Sequence, residues 1–79
     1  MNKEFDGPIM RFLAESEDAQ STRQIKEKTG FDHRDIYLSI KYLLESKMVE
    51  RVKKGGSSTT YRLTREGKTM ISKGGLNNE

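Results

Sequence analysis

A mainly α fold with one small β-hairpin is what this sequence predicts, and three observations carry the expectation. Apolar residues recur at helical spacing in successive segments, a lone Gly30 stands between two of them, and β-branched and aromatic residues flank a stretch containing Gly55-Gly56. The 79 residues leave room for one core and one domain, expected over residues 1–72. Residues 73–79 lose all periodicity and are expected to be a disordered tail.

Taken in order, Pro8 suits the first residue of a helix, where its missing N–H has no partner to lose. Ile9, Phe12 and Leu13 follow as an i, i+3, i+4 stripe, so the first helix is expected over about residues 8–17. Ser21-Thr22-Arg23-Gln24 has capping-box spacing, a hydroxyl to cap the backbone and an amide to reach back, which starts a second helix at Thr22. Gly30 ends it, because glycine takes the left-handed conformation other residues resist, and Phe31 then drops into the core. Asp32 is the next N-cap candidate, and Ile36, Ile40, Leu43, Leu44 and Lys47 hold helical spacing through about Ser46. Strand character follows in residues 48–52 and resumes at Tyr61-Arg62-Leu63, with a flexible basic tip between. Thr64 caps a short final helix carrying Met70 and Ile71.

Charge is unevenly placed on this chain of net charge +3: residues 1–18 hold two cations against five anions, a local −3. Residues 51–68 hold six cations against Glu66 alone, a local +5 able to attract a polyanion. There is no cysteine, which excludes disulfides and cysteine metal sites, and the single histidine has no second ligand to share a metal with. No glycine-rich phosphate loop and no carboxylate pair at acid–base spacing is present, so an enzyme is not expected, nor a cofactor. No apolar run approaches a membrane span of roughly 18 residues, and Met1-Asn2-Lys3-Glu4-Phe5-Asp6 lacks the order of a signal peptide, so a cytoplasmic location is expected.

Helix, helix, glycine turn, longer helix and basic hairpin is the order of a winged helix-turn-helix: a three-helix core, a two-strand wing and here a short C-terminal helix. In that arrangement Ile25, Phe31, Ile36 and Ile40 hold the third helix across the second, and its outer face meets the major groove of DNA. At 100° per residue Ile36, Ile40, Leu43 and Lys47 fall within about 60°, leaving Arg34, Leu38, Lys41 and Glu45 opposite, with Tyr37 beside them.

Residues 21–63 resemble the winged-helix core of MarR-like and PadR-like regulators and their small archaeal and phage relatives. Tyr42-Leu43-Leu44-Glu45-Ser46-Lys47-Met48-Val49-Glu50-Arg51 is similar to that family's passage from recognition helix to wing, and Tyr61-Arg62-Leu63-Thr64-Arg65-Glu66-Gly67 to its Tyr-x-Leu-Thr-x-x-Gly ending. The resemblance implies a sequence-specific, double-stranded DNA-binding transcription regulator, with base-reading and phosphate-contacting positions at His33, Arg34, Tyr37, Leu38 and Lys41. Arg34 suits guanine, Lys41 and the Tyr37 hydroxyl suit phosphates, and Leu38 suits a thymine methyl. Two departures stand out. Lys47 occupies a place where the family often has glycine, so the exit from the third helix is expected to differ in shape. The long terminal helices that form the dimer and effector pocket of larger members are absent or short, which argues against a small-molecule effector.

Phosphate contacts are expected further from Arg51, Lys53, Lys54 and Arg62 on the wing, aided by Ser57, Ser58 and Thr59. At the start of the second helix, Gln20, Ser21, Thr22 and Arg23 lie where exposed N–H groups favour an anion. Phe5, Ile9, Phe12 and Leu13 with Met70 and Ile71 offer more apolar surface than one small core absorbs, so a homodimer is expected, its recognition helices about 34 Å apart. The alternative reading is a winged helix for protein–protein contact, with Leu38 and Tyr42 as the adhesive pair.

Overall fold

Three helices, a hairpin and a short last helix follow one another in the computed structural model, which describes residues 4–53 and 59–72. The order is α1 (Asp6–Glu15), α2 (Thr22–Thr29), α3 (His33–Glu45), β1 (Val49–Lys53), β2 (Thr59–Leu63) and α4 (Arg65–Ser72). This is the expected mainly α, winged-helix arrangement. The hairpin residues Lys54, Gly55, Gly56, Ser57 and Ser58, like the tail 73–79, lie outside the described residues.

Helix α1 begins two residues earlier than expected. Pro8 is its third residue, still within the first turn where backbone N–H groups have no intrahelical acceptor. Asp6 and Gly7 are drawn in because both are buried. Asp6, one of the five anions of residues 1–18, is 2% exposed and accepts a hydrogen bond from the buried hydroxyl of Ser39, which ties the start of α1 to the inner face of α3. The helix stops where Ser16 turns to extended backbone.

The start of α2 follows its sequence signal. The Ser21 hydroxyl accepts from the Gln24 N–H at 3.2 Å, and Gln24 Oε1 accepts from the Ser21 N–H at 2.8 Å. Gly30 closes the helix at φ 77°. Phe31 then lies half-buried against the core, its ring meeting Phe5 edge-on at 5.1 Å. Asp32 holds the N-cap position of α3 as expected, in extended backbone, though its side chain makes no capping bond.

Lys47 leaves α3 at φ 66°, in the left-handed region. The altered exit expected from a lysine here is therefore absent from the backbone; the lysine takes the conformation a glycine would adopt freely. Three hydrogen bonds over-determine it: Lys47 N–H to Leu44 O at 3.1 Å, Met48 N–H to Leu43 O at 2.9 Å, and the Thr64 hydroxyl to Lys47 O at 2.6 Å. Lys47→Gly should stabilise the fold by about 0.5–1 kcal/mol, relief of steric strain exceeding the added backbone entropy of the unfolded chain. Thermal melting checks this, and a lower midpoint would mean that Lys47 is not strained there.

The hairpin is antiparallel, in the register Val49↔Leu63 through Lys53↔Thr59. Each strand outlasts its expected span at the tip: Lys53 pairs with Thr59, so both belong to strands and not to the loop. A single extended residue before α2 joins the sheet edge, Gln20 and Tyr61 exchanging both backbone hydrogen bonds at 2.8 Å. The core comprises Ile9, Met10, Leu13, Ile25, Ile36, Ile40, Leu43, Val49 and Leu63, each 4% exposed or less. Ile9 and Leu13, two of the six residues from which pairing of chains was expected, are thus consumed by the chain's own core, with Phe12, Met70 and Ile71 half-buried against it. No helix among the described residues is long and apolar enough to cross a membrane.

Candidate nucleic-acid interface

Helix α3 buries Ile36, Ser39, Ile40 and Leu43 and so turns the opposite side of the cylinder outward. Arg34, Tyr37, Leu38 and Lys41 are exposed on that outer side, and His33 is exposed in the first turn, nearer the buried edge. Tyr42 and Glu45 complete the exposed side, so that it carries two cations, two phenols, one aliphatic chain and one carboxylate. Arg34, Leu38 and Tyr42 are spaced at i, i+4, i+8, and Tyr37 and Lys41 run parallel to them one step round.

The wing divides its candidates between two faces, because side chains alternate along a strand. Arg51 and Lys53 share a face with Thr59 and Tyr61, the face that continues inward as Val49 and Leu63 into the core. Thr59 and Tyr61 also form one wall of a groove whose other wall is Ser21, Thr22, Arg23, Gln24 and Glu27 at the start of α2. The fold therefore brings Ser21, Thr22 and Arg23 together with the face of the wing that bears Arg51 and Lys53. The Ser21 hydroxyl accepts one bond in the capping box, and its hydrogen is still available to donate to an anionic ligand. Arg23 pairs loosely with Glu27 at 3.8 Å, both side chains largely exposed, and that pair hardly competes with a phosphate.

Arg62 does not join this group. It lies in register with Glu50 on the other face of the hairpin, where its Nε donates to Glu50 Oε2 at 2.6 Å. That face borders a separate groove lined by Ala14 of α1, by Glu17 just after it, and by Arg65, Lys68 and Thr69 of α4. Arg62 is thus paired locally with Glu50, on the side away from the start of α2. Lys54, Ser57 and Ser58 lie outside the described residues. Among the described residues, no group of three or more His, Asp or Glu side chains is placed to hold a metal ion.

Gln20, just before the start of α2, has its backbone committed to Tyr61, and its side-chain amide donates to Asp18 O at 3.0 Å. One contributor had no usable sequence signal. Glu50 neutralises Arg62, which becomes visible only once the hairpin register is known.

No family model matches the chain, and no curated protein matches it. Among solved structures it is similar to AF1382 from Archaeoglobus fulgidus, with a TM-score of 0.79 and 25% sequence identity over 92% of this chain and 82% of that one. The likeness spans nearly the whole of this chain, and it is a likeness of fold.

Proposed function

We propose that this chain is a double-stranded DNA-binding regulator of transcription, of the kind its sequence resembles among MarR-like and PadR-like proteins. Helix α3 lies in the major groove, and the start of α2 with the Arg51 and Lys53 face of the wing follows the phosphate backbone. The observation that carries this reading is the outer face of α3. Its residues are exposed, it presents Arg34 and Lys41 where a groove-reading helix needs donors, and it rests on a base of buried Ile36, Ile40 and Leu43. A guanidinium pairs with two acceptors of guanine, while ammonium groups neutralise phosphates without regard to sequence.

Titration of a fluorescent duplex over a range of salt concentrations tests the proposal. If Arg23, Lys41, Arg51 and Lys53 each neutralise one phosphate, the log–log salt slope should be about −3.6 per chain. Arg62→Ala should leave that slope within about 0.5, since the Arg62 charge is spent on Glu50. Absence of binding at low salt would defeat the reading and favour protein docking on Leu38 and Tyr42, which are 52% and 39% exposed.

A further inference from the structure

We infer that α3 reads the 5-methyl group of a thymine through Leu38, about two base pairs from a guanine contacted by Arg34. This inference rests on the duplex-docking reading above and narrows it to a class of site.

Among the described residues the large hydrophobic side chains left exposed are Tyr37 at 58%, Leu38 at 52% and Tyr42 at 39%, and all three lie on the outer side of α3. Large hydrophobic side chains exposed on one strip, with no others in that class among the described residues, ask for an apolar partner there. The two tyrosines end in hydroxyls and can satisfy a phosphate or a base edge. Leu38 has no polar atom. The floor of the major groove is lined with hydrogen-bond donors and acceptors, and its apolar feature is the thymine methyl. Over any other base, the leucine would strip water from polar groups and return no hydrogen bond; over a thymine, two apolar surfaces leave water together.

Spacing supplies the second half. Arg34 and Leu38 are four residues apart, so they share one face and stand about 6 Å apart along the helix axis. Base pairs stack every 3.4 Å or so, which places the two contacts about two steps apart for a helix lying along the groove. Tyr37 and Tyr42, on either side of Leu38, shield that contact from solvent.

The experiment begins by enriching duplexes from a random-sequence library with the full chain. Each thymine of the enriched site is then replaced singly by deoxyuridine, which lacks only the methyl, and each guanine by 7-deazaguanine, which lacks one acceptor of the arginine pair. Deoxyuridine at one position should weaken binding about four-fold, the worth of one buried methyl. That position should lie within two base pairs of the guanine sensitive to loss of N7. Leu38→Ala should bind the thymine and deoxyuridine duplexes equally, and Arg34→Ala should erase the 7-deazaguanine effect. Both sites are exposed and helical, so thermal melting of the variants should match the parent. An enriched site indifferent to every deoxyuridine, or a deoxyuridine effect that survives Leu38→Ala, overturns the inference and leaves DNA binding standing. Failure to enrich any duplex overturns both.

Discussion

Gly67→Ala should destabilise this protein by about 3 kcal/mol, the upper end of what one added methyl does in a packed site. A Cβ at Gly67 would lie 2.2 Å from the carbonyl oxygen of Met48 and 3.1 Å from Leu63 Cδ2. The nearer obstacle is backbone, and it cannot swing aside. Met48 O already accepts from the Thr64 N–H at 3.0 Å, while the Thr64 hydroxyl donates to Lys47 O and accepts from the Gly67 N–H at 3.1 Å. Exit of α3, end of β2 and start of α4 are thus pinned at one point, and a methyl group there must unseat α4 or move the root of the wing. For a domain of this size the melting midpoint should fall by roughly 12–24 °C. Gly30→Ala provides the contrast: nothing lies within 4 Å of its Cβ, so only the φ of 77° is penalised, by about 1 kcal/mol. Equal losses at the two glycines would mean that Gly67 does not sit against Met48. The clash also gives a physical reason for a glycine at the end of the Tyr61–Gly67 stretch, where sequence resemblance supplied only a pattern.

Elements with local signals were legible in the sequence. The Ser21–Gln24 capping box, the Gly30 stop and the Thr64 cap each depend on residues within a few positions of one another, and each has its expected partner. What could not be read depends on partners far along the chain. The carboxyl of Asp6 and the hydroxyl of Ser39 are 33 residues apart and meet only when α1 crosses α3. The Gln20–Tyr61 bridge is one residue wide on one side, too short to leave an alternating pattern. The candidate site divides in the same way. The outer side of α3 follows from 100° of rotation per residue, so Arg34, Tyr37, Leu38 and Lys41 were placed by spacing, whereas His33 came from the resemblance alone. The wing needed its register. Only the pairing of Glu50 with Arg62 reveals that Arg62 faces away from Arg51 and Lys53, and a count of positive charge cannot see faces.

Changing Arg34 and Lys41 together to alanine should weaken binding to an enriched duplex by at least about 40-fold at 0.1 M salt. The lower bound is the product of two separable losses. A bidentate arginine–guanine contact is worth about 1–3 kcal/mol, or at least a factor of 5. One phosphate contact, at about 0.9 of a log unit in the salt slope, contributes roughly a factor of 8 at 0.1 M relative to 1 M. The two parts are distinguishable in one data set. Loss of Lys41 should flatten the salt slope by about 0.9 on any duplex, whereas loss of Arg34 should remove the preference for the enriched site over a scrambled one. Neither residue belongs to an ion pair among the described residues, both are exposed, and alanine is the better helix former, so the fold should hold its melting temperature. Unchanged affinity with an unchanged slope would remove α3 from the DNA interface. The Arg51 and Lys53 face of the wing, with the start of α2, would then be the basic surface to test next for any binding that salt weakens.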